Sequence, residues 1–201
     1  MREKMQIRLA TPEDSSALLE IYSQYIETQT TFEYALPSKQ EFTKRIAGIG
    51  RDYPYLVCEC MNERKIIGYA YAHRAMLRAA YQWNAELSIY LDRNFISRGL
   101  GKKLYACLIE LLKPQGIRTV LASVTAHNPR SDALHKSFGF EIFGIYRNAG
   151  YKCSDWHDVI IYGKQIAPYD NAPKPLIPFS KLPQEQIAGI IARFNQSWQP
   201  Q

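Results

Sequence analysis

A chain of 201 residues, 46% apolar and 22% charged, is long enough for one domain with a sizeable core and has the balance of a soluble globular protein. Basic side chains exceed acidic ones, 25 against 19, which suits an anionic ligand, yet no dense basic run marks a nucleic-acid surface. No uncharged apolar stretch could span a bilayer, and the opening MREKMQIRLA lacks the apolar core of a secretion signal, so a cytoplasmic protein is expected.

Residues 5–10 alternate apolar and polar as a half-buried strand does. Thr11-Pro12-Glu13-Asp14 reads as a capping box opening a helix whose buried side is Leu18, Leu19, Tyr22 and Ile26. After a polar, aromatic connection over 28–36, Ser38 and Glu41 open a second, short helix carrying Phe42, Ile46 and Ile49. Tyr55–Cys60 and Ile66–His73 flank a turn at 62–65 and predict an antiparallel hairpin. Residues 74–85 fit either a short helix or an irregular loop. A strand over 86–91 then leads into a helix marked by Leu100, Leu104, Cys107, Leu108, Leu111 and Leu112. Thr119–Thr125 is a strand, Asn128-Pro129 starts a helix that Gly139 ends, and strands follow near 140–147 and 156–165. Prolines at 168, 173, 175, 178 and 183 stiffen a tail with a short final helix over 184–194. The expected division is a domain over 1–166 and a tail over 167–201, whose apolar face would cover either its own body or a partner subunit. Cys58, Cys60, Cys107 and Cys153 have neither a disulfide framework nor a zinc spacing, so core thiols and no metal are expected.

The stretch most able to carry chemistry joins the 86–91 strand to its helix through Arg98-Gly99-Leu100-Gly101-Lys102. Glycines before a helix let the backbone turn and approach a ligand, and the first helical N–H groups attract an anion. A Walker A loop is excluded because Ile96 stands five before Gly101 and Lys103 follows Lys102. A dinucleotide fingerprint is excluded because Leu104 occupies the third glycine position. A phosphate cradle and a plain strand–helix turn both remain.

The loop resembles the (R/Q)-x-x-G-x-(G/A) pyrophosphate loop of the GNAT superfamily of N-acetyltransferases, with Ile96 in place of the first Arg or Gln. The order β-α-α-β-β-β-α-β-α-β-β also matches that fold, a mixed α/β sheet flanked by helices. Spaced motifs narrow the resemblance to the phosphinothricin and methionine sulfone–sulfoximine acetyltransferase branch: 51–57 (RDYPYLV), 68–72 (GYAYA), 78–86 (RAAYQWNAE), Asn128-Pro129-Arg130-Ser131 with Leu134-His135, 138–140 (FGF), Gly150-Tyr151-Lys152 and Trp156-His157-Asp158-Val159.

That resemblance implies acetyl-CoA as donor, a small amino acid or analogue as acceptor, and a homodimer without nucleic-acid or membrane partners. It implies Glu86 as general base, His157 as a second base or a shaper of the pocket, and His135 where many relatives carry an acid for the thiolate. Backbone groups of Ile89, Tyr90 and Leu91 would meet the pantetheine arm. Gly99, Leu100, Gly101 and Lys102 would cover the pyrophosphate, flanked by Ser97 and Arg98, with Asn128 as a further polar contact. Arg78 and Tyr81, or Arg74, would hold the acceptor, under a roof containing Thr31 and Phe32. A non-catalytic acyl-CoA sensor and an acetyltransferase of proteins or other amines are the alternative readings.

Overall fold

The computed structural model describes residues 4–96 and 98–196; Ser97 lies outside them. Seven strands form one sheet: β1 (Met5–Leu9), β2 (Tyr55–Cys60), β3 (Lys65–Arg74), β4 (Asn84–Leu91), β5 (Thr119–Thr125), β6 (Glu141–Lys152) and β7 (Asp155–Gln165), in the order β1-β2-β3-β4-β5-β7-β6. Neighbours are antiparallel except β4 and β5, which run parallel and pair only at Asn84–Glu86 with Thr119–Leu121. Beyond Glu86 the two strands part, and this split positions the site.

Helices α1 (Ser15–Ile26) and α2 (Lys39–Asp52) cover one face, burying Leu18, Ile21, Phe42 and Ile46 against Tyr55, Val57 and Tyr69. Their starts follow the local code. Thr11 and Asp14 make the reciprocal box, here around a 3-10 turn, and the Ser38 side chain accepts from the Glu41 N–H. The opposite face is covered by α3 (Leu100–Leu112), whose Leu104 and Leu108 are fully buried; each such side chain contributes about 1.5–3 kcal/mol. The short helix α4 (Pro129–Ser137) follows β5.

The tail packs on its own body. Residues Phe179 and Leu182, with Ile187 and Ile190 of α5 (Gln184–Gln196), enter the same core as α3. Asn195 Oδ1 accepts from the Ile7 N–H at 2.7 Å and its Nδ2 donates to the Ile7 carbonyl at 2.9 Å. One side chain thereby does the hydrogen bonding of a further strand at the β1 edge.

Residues 75–83 are an irregular connection with one 3-10 turn at Ala79–Tyr81. The last two strands are longer than their pattern suggested: β6 runs to Lys152 and turns tightly through Cys153 and Ser154, both at positive φ. Cys58, Cys60 and Cys107 are core thiols as expected, but Cys153 is exposed on that turn.

Candidate active site

A groove of about 910 Å³ opens where β4 and β5 separate, lined by Ile89 and Leu91 of β4, Gly99, Gly101 and Lys102 at the α3 start, and Asn128, Ser131 and Leu134 of α4. Gly99 has φ of 79°, a left-handed conformation that glycine adopts without strain, and no side chain caps the helix it precedes. The first N–H groups of α3 therefore end at the groove with a positive dipole end behind them. Lys102, Arg93 and Arg130 line the same groove and add positive charge. The fit to a long ligand with an anionic end is good: basic groups and helix amides at one end, and an apolar channel of Ile89, Leu91 and Leu134.

Some expected contacts are modified. The Leu91 carbonyl already accepts from the Tyr25 hydroxyl at 2.6 Å. The Tyr90 ring packs among Tyr22, Tyr25 and Tyr69, so this residue can meet a groove ligand only through its main chain. Asn128 caps α4 by accepting from the Ser131 N–H at 3.2 Å, which leaves a cofactor contact to its Nδ2. Arg98 is exposed, its guanidinium 4.7 Å from the Phe95 ring centroid and donating to the Asn94 carbonyl. Leu100 turns inward and is buried, so only its main chain is available to a ligand.

Glu86 is half-buried on the strand at the base of the split, facing the α1–α2 side with Tyr71, Ser88 and Tyr90. Its charge is felt in both layers. Burial chiefly, with Glu86 contributing, raises the Tyr71 phenol on one face and the Tyr105 phenol of α3 on the other. His73, directly opposite Glu86 on β3, was not singled out from the sequence; its Nδ1 donates to the Arg74 carbonyl at 3.1 Å.

His135 is enclosed in the core. It is 2% exposed, stacked on Tyr162, and both ring nitrogens are engaged. Tyr105 donates to Nε2 at 2.9 Å, and Nδ1 donates to the Ser131 carbonyl at 2.7 Å. Burial lowers its pKa, so the ring is a neutral core group with no free proton to deliver to the groove. Arg74, Arg78 and Tyr81 do not line the groove either. They are exposed around the β3–β4 connection, with Arg74 Nε donating to the Met76 carbonyl at 2.9 Å. Arg74 pairs with Ala85, which places this connection at the Glu86 end of the strands.

Thr31, Phe32 and His157 gather at the other end. The Thr31 hydroxyl meets Tyr22 at 2.6 Å, and the Phe32 ring stacks on His157 with centroids 6.3 Å apart. His157 Nε2 donates to the Lys152 carbonyl at 2.8 Å. His157 lies six residues from Gly163, which pairs with Leu121 beside Glu86; that is about 20 Å of strand.

Groove residues that the sequence reading passed over include Tyr25, Arg93 and Arg130. Arg130 sat inside the Asn-Pro-Arg-Ser motif, and Tyr25 one helical turn beyond Tyr22, so spacing alone could have drawn attention to both.

The profile of the acetyltransferase (GNAT) domain family matches residues 7–161. A phosphinothricin N-acetyltransferase of Streptomyces viridochromogenes is 34% identical over 182 residues, covering 90% of this chain and 98% of that protein. An L-methionine sulfoximine/L-methionine sulfone acetyltransferase of Pseudomonas aeruginosa is 28% identical, covering 83% and 98%. Among solved structures, a phosphinothricin acetyltransferase from Sinorhizobium meliloti in complex with acetyl-CoA superimposes with TM-score 0.79 at 30% identity, over 88% of this chain and 98% of that one. A putative acetyltransferase from Salmonella typhimurium with acetyl-CoA gives 0.78 at 26% identity, over 85% and 98%. The split strands, the glycine-led helix and these likenesses lead to one family: the chain belongs to the GNAT acetyltransferases and is an acetyl-CoA-dependent N-acetyltransferase.

Proposed function

We propose that the acceptor is the α-amino group of a small amino acid or analogue of the phosphinothricin, methionine sulfone or methionine sulfoximine type, with Glu86 as general base. The observation that carries this reading is the position of Glu86 where β4 leaves β5, on the face opposite α3 and half-exposed. Acetyl-CoA, when bound, supplies an activated acetyl thioester. The α3 amides with Gly99, Gly101 and Lys102 hold the diphosphate end, and the side of β4 that β5 leaves unpaired beyond Glu86 aligns the arm and offers an N–H to the developing oxyanion. A free amine is largely protonated near neutrality, its pKa being about 7.7–8.0 in a peptide terminus, so Glu86 removes that proton directly or through water.

Four residues separate Glu86 from Tyr90, about 13 Å of strand, enough for an amino acid and a bridging water. Tyr71 and Ser88 form the wall between them. Arg78, with Arg74 and Tyr81, approaches the carboxylate from the Glu86 end; a guanidinium grips such a group with two charge-assisted bonds. His157 is too far along β7 to share that proton, and its role is to shape the pocket by holding Phe32. His135 has no place in the proton path.

A cytoplasmic homodimer fits this reading. The outer strand β6 and its turn leave large apolar side chains open, among them Tyr146 at 63% and Trp156 at 59% exposure. Screening free amino acids, these analogues and a lysine peptide for acetyl-CoA-dependent thiol release tests the assignment. Release with the free α-amines and weakened acceptor saturation in Arg78→Ala are expected. Acetyl-CoA binding without release for any amine would favour a sensor, and release with the peptide alone would favour a protein substrate.

A further inference from the structure

The 27–34 connection between α1 and α2 is fastened to the β6–β7 hairpin, and most firmly by Lys152. This lysine is 6% exposed, and its Nζ donates to the Thr31 carbonyl at 2.6 Å and the Glu33 carbonyl at 2.7 Å. Its own carbonyl accepts from His157 Nε2 at 2.8 Å. Between the two bonded carbonyls stands Phe32, whose ring lies on His157 and fills the space over Gly150, where a Cβ would come within 2.4 Å of it. Neighbouring contacts run the same way: the Tyr34 hydroxyl donates to the Tyr151 carbonyl, and the Thr125 hydroxyl to the Gln29 carbonyl.

We propose that Lys152 is a positioning residue for acetyl transfer, setting the seat of Phe32 and the His157 ring together and so fixing the roof of the acceptor pocket. Both walls hang on the same residue, one from its side chain and one from its backbone. The connection over 27–36, between α1 and Pro37, has no ladder of its own to hold it. A buried amine serving two carbonyls supplies that hold, and burial leaves no water to replace it. The groove for the donor is lined chiefly by β4 and the starts of α3 and α4, and of this loop only Thr30 reaches it. The inference rests on the acceptor occupying the Glu86 face.

The test is steady-state kinetics with the best acceptor, alongside calorimetric binding of acetyl-CoA, for Lys152→Met, Lys152→Arg, Phe32→Ala and the Lys152→Met/Phe32→Ala pair. Lys152→Met is expected to raise acceptor KM about tenfold or more, as expected for a misplaced pocket wall, with acetyl-CoA affinity within about twofold of the parent. Lys152→Arg, which keeps donors on a long stem, should recover part of the loss. The double variant should lie close to the worse single one, because both changes act through one loop. Unchanged acceptor KM, full additivity, or a parallel loss of acetyl-CoA affinity would overturn the role. Should Lys152→Met not fold, Lys152→Arg with normal acetyl-CoA binding carries the test, and an acceptor KM that stays normal after Phe32→Ala overturns it. Failure of the base assignment is separate: it would appear as unchanged turnover in Glu86→Gln, whatever Lys152 does.

Discussion

At Gly99 a φ of 79° places the chain where a Cβ is strained, while the space around it is open. Gly99→Ala should therefore lose about 1–2 kcal/mol of stability through backbone strain alone, and should weaken acetyl-CoA binding as the bend relaxes; thermal melts and calorimetry check the two effects. His135 gives a pH prediction. Burial holds its folded pKa below the ordinary value of about 6.5, so below that pH the unfolded chain binds more protons than the native one. Stability should fall as pH drops through about 6.5 and level off below the folded pKa, a slope that Tyr105→Phe perturbs by stripping the ring of its donor, at about 1–3 kcal/mol. Urea melts from pH 7.5 to 5 read both. Gly99 could be picked out from sequence because a strand, a glycine bend and a helix follow one another there, and Glu86 only through the family resemblance. The fate of His135 could not, because it is decided by Tyr105, thirty residues earlier, and by Tyr162, which close over it only in the folded core.

The elements obey the same distinction. Helix starts at Ser38 and Asn128 and the apolar stripe of α3 are local patterns, and each appears where its residues predict it. The outer end of β6, from Asn148 to Lys152, was not legible: it is an edge strand exposed on both sides for most of its length, so it shows no alternation, and a register shift lies between Tyr146 and Gly150. That unreadable piece carries Gly150 and Lys152. Gly150→Ala should displace Phe32 and raise acceptor KM several-fold, about what a wall moved by a fraction of an ångström produces, with acetyl-CoA binding intact. Normal acceptor saturation in this variant would contradict the packing seen between Phe32 and the hairpin.

For the whole molecule, sequence conveyed the element order and the mixed α/β class, but not whether the tail belonged to the body. Its prolines suggested a stiff, extended tail that could cover its own body or a partner; its buried Phe179, Leu182, Ile187 and Ile190 make it part of the central packing. Asn195→Ala should lower stability by about 1–3 kcal/mol by leaving Ile7 unpaired, as a melt would show. Sedimentation should find a dimer that Trp156→Glu weakens if the open apolar hairpin is the contact. In the proposed reaction a carboxylate at the parting of β4 and β5 takes the proton from the acceptor amine. Thiol release by the parent and Glu86→Gln, at saturating acetyl-CoA and acceptor, measures it most directly. Glu86→Gln should lower kcat about 100-fold or more with acetyl-CoA affinity retained; turnover at the parent's rate would rule the base role out.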